Sequence, residues 1–358
     1  MGGGEGDDGL LLKTVRRRVR RRVGGGCWAR SDRFRRCCGD DDLVVHLRIV
    51  VPAASAGRAL ALLECSPSVC DIVYLAGVAR APEGDLILCD VAREDASVVI
   101  ADLRELGIER DGAIAVDSIG TLLSERAARA VEVAAGSPED AVVWEQVEAT
   151  TSESATLSVS FVIFIVLAGL IASVGIYLDS AILIVGAMVV GPEFGPIAGF
   201  CVAAVQRRGD LAARSLIALL VGFPAAIAAV LVASVIFRAT GVTPDEFSAA
   251  DHGLSDVIAS PDFLAFFVAF CAGAAGMLSL STAKSAALIG VFISVTTIPA
   301  AANIGVSVAY SDWSAARGSA AQLFVNLLAI LVAGTLTLAV QRALYARRRH
   351  RHVRDAAG

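Results

Sequence analysis

Glu193 stands between Pro192 and Pro196, inside the apolar stretch 181–199. A carboxylate deep in an apolar span is costly, and such residues face a cavity or a partner. Desolvation makes this carboxyl a candidate proton carrier. The competing reading is a surface turn that leaves Glu193 in water. Gly191, Gly195 and Gly199 let the backbone turn and approach other groups closely, while Pro192 and Pro196 remove amide donors and interrupt the helical ladder. A second stretch, 285–305, carries Thr296, Thr297, Pro299 and Asn303. Its Thr and Asn side chains supply neutral donors and acceptors, or bond the carbonyls of their own helix. Half-helix ends opened by such breaks present partial charges to a solute. No nucleophile motif, phosphate loop or metal-binding helix accompanies these residues, and His46, His252, His350 and His352 form no ligand cluster. Neither an enzyme nor a cofactor is therefore expected.

Lipid offers no hydrogen bonds to the backbone groups that a break releases, so such breaks must face protein or a water-filled cavity. The elements that carry them are long apolar runs. The chain has 358 residues and is 56% hydrophobic, with the apolar residues concentrated after position 155. Six runs reach the roughly 20 residues that cross a hydrocarbon core: 156–177, 181–204, 215–237, 263–281, 285–309 and 319–340. Three spans per half invert the second half relative to the first. Offsets of 103 to 106 superpose the two halves, with Phe161 on Phe266, Ser180 on Ser285 and Gly199 on Gly305. Inverted repeats with broken helices at the midplane are a recurring plan of secondary transporters, although duplication kept for packing alone leaves the same trace. Small-residue pairs such as Ala168-Gly169 and Ala272-Gly273 allow close helix approach.

The net charge of −5 conceals an asymmetry: 11 of the 31 Lys and Arg lie before residue 37, and six follow the last span. Beside membrane spans, basic runs read as cytoplasmic orientation and attraction to anionic lipid, and nucleic acid is not expected as a partner. Arg207, Arg208, Arg214, Lys284 and Arg342–Arg354 fall on the inner side of a six-span topology. The acidic loop with Asp245, Glu246, Asp251, Asp256 and Asp262 falls outside, and Arg238 and Arg317 are exceptions able to snorkel. Asp179 and Lys284 occupy equivalent turns on opposite sides and are not expected to pair. No signal peptide is evident. Residues 1–42 read as a disordered basic N-terminus or an over-extended start. The cysteines of the soluble part should be reduced thiols, and Cys201 and Cys271 small apolar fillers.

Residues 43–118 alternate as strand, helix, strand, strand, helix, strand, which is the ferredoxin-like order. Such units in membrane proteins bind a regulator or hold subunits of a homo-oligomer together, or only pack. Residues 119–150 read as a helical connector, with Thr150 and Glu153 fitting a capping box before the first span. Residues 151–341 make the membrane domain and 342–358 a basic cytoplasmic tail.

The membrane half resembles a bacterial family of uncharacterised hydrophobic proteins, domain of unknown function 389. The resemblance is carried by Asp179-Ser-Ala-Ile-Leu-Ile-Val-Gly-Ala-Met-Val-Val-Gly-Pro-Glu-Phe-Gly-Pro-Ile197, Arg208-Gly-Asp210, Ser285-Ala-Ala-Leu-Ile-Gly290 and Ile298-Pro-Ala-Ala-Ala-Asn-Ile-Gly305. It covers about residues 150–341. The family implies a membrane location but no activity. It has apolar residues where this chain has Glu193, and a Pro-Pro pair at Ile298-Pro299, so Glu193 is not expected to serve the whole family. The expected fold is an α-helical integral membrane protein with six spans as a 3+3 inverted repeat and an N-terminal α+β ferredoxin-like cytoplasmic domain. The expected location is the bacterial inner membrane, with both termini cytoplasmic. The expected function is a transporter or channel for a small solute or ion, its site between the breaks of spans two and five and regulated by the soluble domain. The alternative is a membrane-anchored sensor or scaffold.

Overall fold

A computed structural model describes residues 43–119, 122, 124–134, 141–244, 247, 252–260, 262–281 and 297–356, with side chains through 347. Segment 1–42, Asp245, Glu246, Asp251, Lys284, Thr296 and residues 285–296 of the fifth expected span lie outside the described residues. The chain divides into two compact units: 1–92 with 106–135, and 93–105 with 136–358.

The first unit is a four-stranded antiparallel sheet with helices. Its elements are β1 (Val44–Val51), α1 (Ala53–Cys65), β2 (Val69–Arg80) and β3 (Glu83–Ala92). The helix α2 (Arg93–Glu105) that follows belongs to the second unit. The first unit resumes with α3 (Ile108–Asp111), β4 (Ala113–Ser118) and α4 (Glu125–Val133). The strand order is β2-β3-β1-β4. Side chains alternate across a strand, and Val45, Leu47 and Ile49 of β1 lie opposite Val91, Cys89 and Ile87 of β3, all fully buried. Helix α1 packs on the sheet through Ala56, Ala59 and Leu63. Ser124 caps α4 by accepting from the Ala127 N–H at 3.2 Å, and donates to Asp71 at 2.7 Å. The short helix α3 was not legible in the sequence; left-handed Gly107 (φ 79°) starts it.

In the second unit α2 is tied to the connector. The Ser97 hydroxyl donates to Glu145 at 2.7 Å and accepts from the Trp144 N–H at 3.1 Å. The Tyr345 hydroxyl donates to the Ser97 carbonyl at 3.1 Å. The connector helix is α5 (Trp144–Ser154), followed by α6 (Val159–Tyr177), α7 (Ala181–Val190), α8 (Phe194–Gln206) and α9 (Gly209–Ala239). Then come α10 (Gly253–Ala259), α11 (Phe263–Ser281), α12 (Thr297–Ala309) and α13 (Trp313–Ala356). Among the described residues four helices are long and apolar enough to cross a membrane: α6, α9, α11 and the α13 segment Trp313–Arg347. A fifth span is available if α7 and α8, bent by 51°, count as one. The expected span 285–309 is described only as α12.

The expected capping box is corrected. Thr150 and Glu153 lie inside α5, where the Ser154 hydroxyl bonds the Thr150 carbonyl. Ser158 caps the first span instead, accepting from the Phe161 N–H at 3.0 Å. The box pattern came eight residues too early because the polar run continues to Ser158, and the cap forms where that run meets the apolar one. Cys201 is buried as expected, whereas Cys271 lies exposed on the surface of α11.

Candidate functional site

The break between α7 and α8 is three residues long. The Gly191 N–H still bonds the Ala187 carbonyl at 3.1 Å, but Gly191 itself is extended (φ −62°, ψ 129°) and ends the helix. Pro192 has no N–H to continue it. Glu193 returns to helical angles, and the Ile197 N–H bonds its carbonyl at 3.2 Å. Pro196 falls in the first turn of α8, where amides have no helical partner, so it costs that helix no bond.

Glu193 is 4% exposed. Its Oε1 accepts from the Thr297 hydroxyl at 2.9 Å, and Thr297 is wholly buried at the start of α12 as described. Its Oε2 has no partner among the described residues. A Cβ on Gly191 would collide with Oε2 and stand 2.9 Å from Ile298 Cγ1. The glycine is therefore what lets the carboxylate fold back beneath the break. An unpaired buried carboxylate is expensive, and one neutral hydrogen bond offsets only part of that cost.

The remaining expected site residues separate into three places. Pro192 and Gly195 line a cleft of about 440 Å³ on the other side of the break, with Thr151, Ser154, Ser158 and Phe194. Pro196 and Pro299 are buried within their helices. Asn303 sits six residues along α12 from Thr297, about 9 Å away at 1.5 Å per residue. It accepts from the Ser255 hydroxyl at 2.7 Å and donates to Ser319 at 2.9 Å, a fastener between α10, α12 and α13. The structure thus brings together Gly191, Glu193 and Thr297, and keeps Asn303 apart from them. Asp179, in a left-handed turn (φ 47°), accepts from the Leu254 N–H at 3.0 Å and so caps α10.

Two polar side chains escaped the sequence reading. Gln322 and Asn326 are 3% and 0% exposed in the first third of α13, and Gln322 Nε2 donates to Asn326 Oδ1 at 3.1 Å. They lay within a run counted only as apolar. The available signal was two amides four positions apart in a span, enough to share one helix face.

Residues 188–332 match the family described as Domain of unknown function (DUF389). They are a DUF389 domain. The match runs from the last turn of α7 into α13 and takes in Glu193, Thr297, Gln322 and Asn326. No curated protein and no solved structure matches the chain. The long apolar helices are those of a membrane protein of unknown function.

Proposed function

We propose that the chain is a transporter or channel for a small solute or ion, built as six spans in two inverted halves. The observation that carries the proposal is the Glu193–Thr297 hydrogen bond, a carboxylate held at a helix break in a buried interior, with its second oxygen unpartnered among the described residues. Packing alone gives no reason to keep such a group, because an apolar residue of similar size costs less there.

Backbone and packing support the repeat. Helices α6 and α11 each have 19 residues and start 104 positions apart, at Val159 and Phe263. The same offset relates the first residues of α9 and α13, Gly209 and Trp313, and relates left-handed Arg207 to left-handed Ser311 (φ 59° and 60°). It relates Gly169, packed on Ala226 and Val230, to Gly273, packed on Ile330 and Ala333. It relates Cys201, 3.6 Å from the Leu331 carbonyl, to Gly305, whose Cβ would face the Ile227 carbonyl. Glu193 and Thr297 are themselves such a pair, so their contact sits on the axis between the halves. The C-terminus of α8 lies beside α13, with Arg342 bonding the Val205 carbonyl. That of α12 lies beside the far end of α9, with Arg238 bonding the Ala309 carbonyl at 3.3 Å. The two half-helices therefore leave the centre in opposite directions, as inverted halves require.

The basic residues favour a bacterial inner membrane with both termini cytoplasmic, because Arg207, Arg208, Arg214, Arg342 and Arg347 gather at one end of the helices. The strand order β2-β3-β1-β4 with all-antiparallel pairing agrees with a ferredoxin-like unit. The proposed partners are the bilayer and the solute, with no covalent chemistry. The test is flux in proteoliposomes across a panel of monovalent cations, monovalent anions and small neutral solutes. Wild-type protein should move one class, and Glu193→Gln and Pro299→Ala should each cut the rate at least tenfold. Well-folded protein that moves nothing in the panel would remove the transport reading.

A further inference from the structure

The geometry points to a single oxygen-lined site for a monovalent cation, formed by Glu193, Thr297, Gln322 and Asn326 at the meeting of α8, α12 and α13. The inference rests on the transport reading above and names its substrate class.

Two independent helix registers bring the four residues to one level. Helices α8 and α13 run side by side in the same direction: Cys201 lies against Leu331, and further along the long Arg342 side chain reaches back to the Val205 carbonyl. Eight residues back from Cys201 is Glu193, and eight back from Leu331 is position 323. Helices α12 and α13 are joined by a short turn and run antiparallel, with Asn303 bonded to Ser319. Six residues back from Asn303 is Thr297, and six forward from Ser319 is position 325. At 1.5 Å per residue both registers set the Glu193–Thr297 pair within about 3 Å of the level between Gln322 and Asn326. Ser319, Gln322 and Asn326 follow i, i+3, i+7 spacing and so share one stripe of α13. Ser319 meets α12, so the stripe faces it.

The repeat shows that packing does not require the amides. At the 104-residue offset Gln322 corresponds to Ala218 and Asn326 to Gly222, both buried, with Phe161 filling the space over Gly222. One half is served by small apolar residues where the other buries two amides. An exposed i,i+4 amide pair would explain itself as helix support. Here neither member is exposed, and their bond leaves Gln322 Oε1 without a partner among the described residues.

The unpartnered atoms identify the ligand. Glu193 Oε2 and Gln322 Oε1 are both acceptor oxygens that meet no donor among the described residues. Carboxylate and amide oxygens are the hard donors that take alkali cations or the N–H groups of ammonium. One carboxylate supplies one negative charge, which a single positive charge neutralises in a low-dielectric interior. A divalent ion would remain unbalanced, and an anion would be repelled.

The test uses the full chain in detergent micelles at constant ionic strength. Its thermal midpoint and calorimetric binding are read against sodium, potassium and ammonium chloride, with choline chloride as the reference. At least one of the three cations should bind and raise the midpoint. Glu193→Gln and Gln322→Met should each weaken binding at least tenfold. Gln341→Met, at a half-buried glutamine bonded to Ser281 well outside the cluster, should bind as wild type. Absence of binding by all three cations overturns the inference, as does wild-type affinity in Gln322→Met. A midpoint that follows replacement of chloride by gluconate instead of the cation also overturns it. Flux that depends on Glu193 without cation binding would sink this site and leave transport standing. Binding lost in both variants, with no flux in wild type, would keep the site and remove transport.

Discussion

At the scale of single residues, position in an apolar sequence and polarity of the side chain decide what can be read in advance. Glu193 was legible because a carboxylate among apolar residues is conspicuous, but its partner Thr297 was one of several neutral candidates. Asn303 looked equivalent and proved to be fastened to Ser255 and Ser319. Gln322 and Asn326 were hidden because they carry no charge and the long run around them stays apolar on average. In the soluble sheet, Asp85 shows how a carboxylate holds a distortion in place. The Tyr74 hydroxyl donates to it at 2.7 Å and the N–H of left-handed Gly77 (φ 67°) at 2.8 Å, across the irregular register between Leu75 and Ala79. The Tyr74 bond first, and the Gly77 bond second, hold the Asp85 carboxyl below its ordinary value of 3.8. The fold therefore favours the ionised form. That stabilisation is complete above the ordinary carboxylate range and is lost as pH falls through the lowered value. Hydrogen exchange at Gly77, corrected for its intrinsic rate, should stay protected from pH 7 to about 4 and lose protection below that. In Tyr74→Phe the loss should begin at higher pH. Unchanged profiles in the two proteins would show that the tyrosine does not hold the carboxylate.

At the scale of elements, the break in the second span was readable because glycine and proline stand together: Gly191 ends α7 and Pro192 cannot restart it. Proline alone does not suffice. Pro224 lies inside the 31-residue α9, which remains one helix, since lipid gives an opened backbone nothing else to bond. Capping was less legible, because the polar run before the first span offers several hydroxyls and only Ser158 meets the apolar boundary. The expected small-residue contacts, by contrast, have an identifiable role. A Cβ on Gly273 would lie 2.7 Å from the Ile330 carbonyl and 2.8 Å from its Cα, so the obstacle is backbone that cannot rotate aside. Gly273→Val should force α11 from α13 and destabilise the chain by about 1–3 kcal/mol. Gly186→Val, at a position where a Cβ meets nothing within 4 Å, should remain near wild type. Thermal unfolding of the full chain in detergent compares them, and equal midpoints would mean that the close approach at Gly273 carries no packing energy.

At the scale of the whole molecule, hydropathy limits the offset of the proposed repeat only to within a few positions. Composition so biased toward Ala, Val, Leu and Ile makes identities accumulate at many offsets. Backbone features discriminate better: a left-handed residue after α8 and after α12 is a geometric mark that sequence identity at 207 and 311 does not display. If the halves are inverted about the Glu193–Thr297 contact, the two marks must lie on opposite faces of the membrane. The Arg207 turn adjoins Arg208 and Arg214, whereas Ser311 adjoins Tyr310, over whose ring Arg238 lies at 5.2 Å. Thr240, which caps the C-terminus of α9, is on the Ser311 side. In intact cells a membrane-impermeant maleimide should label Thr240→Cys and spare Arg207→Cys until the membrane is opened, with labelled sites assigned by peptide mass spectrometry so that the native cysteines stay in place. Reversal of that pattern would overturn the orientation drawn from the arginines and keep the inversion. Labelling of both from one side would contradict the inversion itself, and with it the argument that two half-helices meet at the centre from opposite faces.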